Sequence, residues 1–452
     1  MKKLFLTIFI SVLLTMILSS CGTYSKESEE KSLSNSKGQS DAGNYAHDSN
    51  VPLLLSSEWT GSSGIYKLVG LDTSQSRLLH YIDKENNNEF VLCNKPNCKH
   101  DSESCNAYFV PSYISYYVDN SLVFEYKNNI FVKIGNRIVK MNMDGTDHEN
   151  VIDIPDKYNL SSAYLRDSLL YIQATAWPDG NDSNLNDDSP LSIMLEVDLE
   201  DESCRELWSF KYKEEESLLG IYGKYGYYLW HTPTQPLSGY NQEALNAEEN
   251  NKDVILYSIN MENGEREELI KATSFSIDPV VMAGKFIFYH SRKDEKLIQF
   301  NVETKESIEL VCDLPGYIRF LGKGNDTILN NKLFYIMAND MTDAYADPPK
   351  GNDTFYVDLE NETNTKINFR TKKSNGKSEN LTTLPEEKDG YYILPVQKEV
   401  KKEIMQGGEV PVESTLRVQY GCIKKEDFWA GNFDKITNLE WKDYMSQSTY
   451  TP

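Results

Sequence analysis

A cycle of short alternating strands that keeps returning along the chain limits the fold of this 452-residue sequence more than any other feature. It is clearest over residues 117–155, where Ser-Leu-Val-Phe-Glu-Tyr (121–126) and Arg-Ile-Val-Lys-Met-Asn-Met (137–143) precede Asp144-Gly145 and then Asn-Val-Ile-Asp-Ile (150–154). Apolar and polar residues alternate in each run, which is the period of a strand with one buried face, and Asp-Gly marks a turn between two such strands.

The same order recurs with similar punctuation. One strand follows a small polar turn, as at residues 167–171, 225–229, 284–289, 331–335 and 389–393. A second ends in an acidic turn, as at 194–200, 256–262, 297–303 and 355–360, and a third closes the unit, as at 205–210, 267–270 and 307–311. Starts near residues 65, 121, 168, 226, 285, 332 and 390 are spaced by 47 to 59 residues, slightly more than the roughly 40–50 of a propeller blade. The pattern therefore predicts an all-β chain, a β-propeller of seven blades with six as the alternative. In that register Leu122, Leu169, Tyr227, Phe286, Leu333 and Tyr391 occupy equivalent places, and residues 51–56 add a strand to the last blade.

Composition agrees with many short strands: aromatic residues make up 12% of the chain, and 29 residues are Tyr. The formal net charge is -23 without a basic stripe, which argues against nucleic acid and against direct docking on anionic lipid.

The N-terminus has the layout of a secretory signal. Lys2 and Lys3 precede an apolar run over residues 4–18, which is too short for a comfortable membrane span. The residues Leu18-Ser19-Ser20-Cys21 resemble the lipobox of bacterial lipoproteins. That resemblance implies cleavage after Ser20, acylation of Cys21, and a location on the extracytoplasmic face of the cell membrane. Residues 1–20 are then the signal peptide, 21–50 the lipidated cysteine and its tether, and 51–452 the propeller domain. The tether is rich in Ser, Lys, Glu, Gly and Asn and holds too little apolar surface to fold. As a flexible coil it spans about 30 Å on average.

Where the blades exceed their usual length is informative. In a blade of four antiparallel strands the second-to-third loop and the connection to the next blade share one face of the disc. The insertions at 174–190, 231–253, 338–353 and 396–414 read as second-to-third loops, and those at 371–387 and 94–111 read as connections between blades. All six then decorate one face, which is where a ligand surface belongs. The stretch Leu-Cys-Asn-Lys-Pro-Asn-Cys-Lys-His-Asp (92–101), the following Cys105-Asn106-Ala107 and the blade pattern after a lipobox resemble a family of uncharacterised β-propeller lipoproteins of Gram-positive bacteria. The resemblance covers nearly the whole chain past the tether and implies a fold and a location, not an activity.

Three of the six cysteines other than Cys21 fall within 13 residues, and His100 lies among them. Cys93, Cys98, His100 and Cys105 are a full tetrahedral set for zinc, of the closed kind that pins a loop rather than catalyses. A disulfide within the cluster is the competing reading, but it leaves an odd thiol, and simple packing is the third. Ligand count favours the metal. Cys204, Cys312 and Cys422 fall in or beside strands of separate blades and read as buried or unpaired residues. The acidic run Asp179, Asn181, Asp182, Asp187 and Asp188 lacks the Gly and closing Glu of an EF-hand loop and reads as a solvated face.

Trp177, Trp230, His231, Tyr240 and Tyr345 lie at strand ends or in insertions and are candidate ligand-binding residues, against the alternative that they cap their own blades. No Gly-x-Ser-x-Gly elbow, His-Glu-x-x-His, Walker loop or Gly-rich dinucleotide turn occurs, so no catalytic residue is assigned. The expectation is a membrane-anchored binding or scaffold module for an extracytoplasmic protein, peptide or glycan. The alternative is a carbohydrate-active enzyme with an acidic pair at the mouth of the channel.

Overall fold

The alternation read from the sequence becomes strand, and the turn residues decide where each strand stops. The computed structural model describes residues 50–61, 64–71, 74–83, 88–110, 121–176, 190–213, 216–232, 252–273, 276–277, 279–322, 327–338, 353–388, 390–404 and 411–443. Cys21, the signal and all of the tether but Asn50 lie outside them, as do Trp177, Tyr240, Tyr345 and the acidic run at 179–188.

First turns of the blades use residues that accept left-handed backbone. Lys127 and Asn128 have φ of 48° and 57°, Asp167 has 53°, Gly223 and Gly284 have 57°, and Asn331 has 57°. Short connections of this hand match the twist of the strands they join, so the hairpins are tight. Third strands end on Asp or Asn whose side chain accepts from the backbone N–H two residues on. Asp198 takes Glu200 at 2.9 Å, Asn260 takes Glu262 at 2.9 Å, Asn301 takes Glu303 at 2.9 Å, and Asp358 takes Glu360 at 3.0 Å. The acidic turns of the sequence are therefore self-capped Asx turns.

Seven sheets follow one another along the chain, each antiparallel in its main path except for one short parallel pairing in the last, and together they make a seven-bladed β-propeller. The third blade is typical, with neighbours Tyr158–Arg166, Leu169–Ala176, Leu191–Asp198 and Ser203–Lys211 from the channel outward. Buried clusters join consecutive blades: Phe124 and Ile172 between the second and third, Trp208 and Tyr228 between the third and fourth, Phe288 and Tyr335 between the fifth and sixth. Each fully buried side chain of this size contributes about 1.5–3 kcal/mol, so the blade-to-blade contacts hold the disc.

Two expectations are corrected. Leu122 lies on the first strand of its blade (Leu122–Tyr126), whereas Leu169, Tyr227, Phe286, Leu333 and Tyr391 lie on second strands. The true equivalent in the second blade is Asn129–Ile134, which the sequence reading passed over because the two-residue turn Lys127-Asn128 carries no Gly. The N-terminal segment, in turn, does not join the last blade. Leu53–Leu54 pairs with the innermost strand of the third, Leu53 opposite Leu165 and Leu54 opposite Tyr164. Leu55, 5% exposed, packs into the cluster between the second and third blades.

Strand direction sets the two faces. First-to-second and third-to-fourth turns share one side, the turn face; second-to-third loops and blade-to-blade connections share the other, the insertion face. The second strands Leu169–Ala176, Tyr225–His231 and Lys332–Ala338 all end on the insertion face. In the last blade the hairpin Tyr391–Ile404 with Pro411–Lys424 is paired along its length, and the Arg370–Lys373 strand lies parallel to it. Among the described residues no helix is long and apolar enough to cross a membrane.

Candidate functional site

The cysteine loop begins where the outer strand of the first blade leaves its partner and ends where it returns. Glu89–Val91 and Tyr108–Phe109 both pair with Ser74–Asp83, at opposite ends of that strand. Leu92 donates its N–H to Leu79 O at 2.9 Å, and Leu79 donates its N–H to Ala107 O at 2.8 Å. The loop is therefore an insertion in the middle of one strand, at the outer rim of the disc. This corrects the expectation that residues 94–111 connect two blades on the insertion face.

Local sequence explains its path. Lys95-Pro96-Asn97-Cys98 closes a turn, with Cys98 N–H donating to Lys95 O at 3.3 Å; Pro96 presets the second position and Asn97 accepts φ of 56° at the third. His100 is left-handed as well, at 57°, and a further turn brings Cys105 N–H to Ser102 O at 2.9 Å. These reversals fold the loop back on itself. The donor atoms of Cys93, Cys98, His100 and Cys105 all lie within 4.8 Å of one another. The edges of a zinc tetrahedron built from thiolates are about 3.8 Å, so small side-chain rotations would complete it.

Electrostatics favour thiolate in one half of the cluster. Burial raises the Cys93 thiol, but hydrogen bonds from the backbone of Lys95 and Asn106, with Cys105 and Cys98 beside it, outweigh burial and hold it below its ordinary value. Cys105 is 2% exposed, and burial pushes it up to about 12 against the N–H of Ala107, which donates to its sulfur at 3.4 Å. A buried thiol of that kind ionises when a cation supplies the missing charge. His100 Nδ1 stands 3.1 Å from Cys105 Sγ, a contact for which a disulfide gives no reason. The donor set thus fits a metal with four protein ligands and no open position, and can hold structure but not substrate.

The loop is wedged against the second blade. Phe109 stacks on His148 at 5.5 Å between ring centroids, inclined by 7°. Gly145, with φ of 78°, comes so close that a Cβ on it would stand 2.5 Å from Leu92 O. Neither contact was read from the sequence, although the Asp-Gly turn that makes the second one was.

Of the aromatic candidates, Trp230 and His231 fall among the described residues. Trp230, at the insertion-face end of Tyr225–His231, packs into the cluster between the third and fourth blades, and Lys213 Nζ sits 3.9 Å above its ring. Lys213 also lies 3.8 Å from the buried carboxylate of Glu216. Trp230 is thus committed to packing. His231 is half-buried beside it and pairs with Val254 in the ladder. Among the described residues no disulfide joins Cys204, Cys312 or Cys422 to a partner.

No family model matches this sequence, and neither does any curated protein. Among solved structures the chain is similar to oligogalacturonate lyase from Vibrio parahaemolyticus, with 9% identity, a TM-score of 0.41, and 84% of this chain and 93% of that one covered. A puromycin hydrolase mutant matches at 8% identity and a TM-score of 0.46, over 86% of this chain and 55% of its own. TolB from Acinetobacter baumannii matches at 10% identity and a TM-score of 0.30, over 80% and 76%.

Proposed function

We propose that this chain is a lipid-anchored propeller on the extracytoplasmic side of the membrane that holds a protein, peptide or glycan on its insertion face, with a zinc ion closing the rim loop of its first blade. The observation that carries the reading is the asymmetry of the disc. One face is made of short self-capped turns, while the second strands of the third, fourth and sixth blades end on the other with a long stretch of sequence before the next strand, and the extended hairpin of the last blade rises there. Loops of variable length on a rigid scaffold are where binding resides in such folds.

Zinc is supported by softness and number: three sulfurs and one imidazole suit zinc better than the oxygen-loving cations, and a closed tetrahedron matches a structural role. The lipid anchor is supported by the position of Cys21 immediately after an apolar run and two small residues. Two or more acyl chains on that cysteine would hold the protein stably, since one chain alone is marginal.

The test is a glycan-array and pull-down screen, followed by shortening of two connections, Tyr225–His231 to Asp253–Asn260 and Lys332–Ala338 to Asp353–Asp358. Ligand retained by the native protein and lost on shortening supports the insertion face. Equal retention by both forms contradicts it, and turnover of a bound glycan would replace the binding reading with an enzymatic one.

A further inference from the structure

The N-terminal segment of the described chain takes an unexpected route through the disc. Asn50 O accepts from Gly223 N–H at 2.8 Å, in the first turn of the fourth blade and hence on the turn face. Leu53–Leu54 then runs antiparallel to the innermost strand of the third blade, opposite Leu165 and Tyr164, and Leu55 N–H continues the ladder to Ala163 O at 2.9 Å. The direction is from the turn face toward the insertion face. Ser56 O next accepts from Val123 N–H at 3.1 Å, at the opposite end of the second blade's innermost strand, and Ser57 O accepts from Leu68 N–H at 2.8 Å. There the chain reverses and returns as Glu58–Thr60, the innermost strand of the first blade.

We infer that the chain enters its propeller on the turn face and passes along the channel wall, so that the insertion face is the side turned away from whatever holds the N-terminus. The inference rests on the anchor reading only for what that holder is. Given an acyl anchor at Cys21, the turn face lies toward the bilayer and the insertion face meets ligands arriving from solution rather than lipids or membrane-embedded partners.

Several contacts make the entry point specific rather than a loose end. Val51 packs against the cluster between the fourth and fifth blades and Leu55 is buried in the one between the second and third, so hydrophobic contacts and ladder hydrogen bonds fix the segment at both ends. With the reach of about 30 Å expected from the composition of residues 23–50, inverting the disc would require that segment to run around the rim. Leu53 and Leu54 keep 48% and 40% exposure in the channel, which leaves the passage lined but not sealed by this segment.

Two measurements on the full-length protein test this, one of the route and one of the orientation. A photo-crosslinking amino acid at Asn50 should capture the Gly223-Lys224 turn, identified by mass spectrometry. Capture by Asp253 or Val254, at the start of the Asp253–Asn260 strand, or by the Arg370–Lys373 hairpin, both on the insertion face, overturns the route. For orientation, the lipidated protein is reconstituted in phosphatidylglycerol vesicles carrying an acceptor-labelled lipid, with a fluorescent amino acid at exposed Lys224 on the turn face or at exposed Lys377. Lys377 follows the Arg370–Lys373 strand, whose partners Gln397 and Lys398 lie six and seven residues along the hairpin from Tyr391, roughly 20 Å or more farther from the turn face. Energy transfer should be at least about twofold stronger from Lys224 than from Lys377, given that separation. Equal or reversed transfer in vesicle-bound protein overturns the orientation while leaving the anchor intact. If the Cys21→Ala protein binds vesicles as well as the lipidated one, the anchor reading fails instead, and the crosslink alone decides the route.

Discussion

The backbone N–H of Leu79 donates to the carbonyl of Ala107 at 2.8 Å, while the carbonyl of Leu79 accepts from Leu92 at 2.9 Å. One residue of the third strand thus holds both ends of the cysteine loop, and the fifteen residues 93–107 leave and rejoin a single outer strand. Closing a loop of that length costs chain entropy, and a cross-link of about 15 residues is worth roughly 3 kcal/mol by that account. Removing metal with a chelator should therefore lower the melting temperature by a few degrees and leave a Cys98→Ala protein unmoved, as scanning calorimetry would show.

Gly145 tests the wedge between the first two blades. Its φ of 78° disfavours any Cβ, and the added atom would meet Leu92 O at 2.5 Å. Gly145→Ala should destabilise by about 2 kcal/mol or more in urea denaturation. It should also weaken metal retention, because Leu92 directly precedes the first ligand; an unchanged chelator titration would show that the loop stands free of the second blade.

In the last blade, Glu379 is 8% exposed and meets two ammonium groups, Lys373 at 2.9 Å and Lys398 at 2.5 Å. It ties the Arg370–Lys373 hairpin to the long strand Tyr391–Ile404. Glu379→Ala removes the carboxylate that both largely buried cations face and should cost about 3–5 kcal/mol, whereas Lys373→Met should cost clearly less. Equal losses would argue that packing, not charge, joins these strands.

His290 sets a pH dependence. It is fully buried, its Nε2 donates to Leu314 O at 3.1 Å, and burial pushes its pKa down to about 4. The unfolded chain titrates this group near the ordinary value of about 6.5, so between the two values it binds the additional proton and the folded state does not. The contribution of the neutral ring is complete above pH of about 6.5 and is lost as pH falls toward 4, by an amount on the order of 3 kcal/mol. Replacing His290→Gln should flatten that part of the stability–pH curve; an unchanged slope would assign the loss to other groups.

Legibility in the sequence followed the physics of each element. Strands whose turns contain Gly or an Asx cap, such as Gly223, Gly284 and Asp358, were placed correctly because the turn residue is diagnostic. The hairpin at Lys127-Asn128 was missed because its left-handed residues are not glycines, and with it the register of the second blade. The grouping of Cys93, Cys98, His100 and Cys105 was legible from spacing alone, since donor identity is written in the side chain. Their place on the rim was not, because it depends on Leu79 pairing across the loop, a contact between residues far apart in sequence. The route of Leu53–Leu54 was hidden for the same reason: a two-residue strand has no periodicity.

Elemental analysis combined with native mass spectrometry of protein purified without added metal tests the rim site most directly. The account predicts about one zinc per chain, bound by reduced Cys93, Cys98 and Cys105 with His100, and lost from Cys98→Ala. Metal-free protein with a disulfide between any two of these cysteines would contradict it, and the loop would then be a covalent staple.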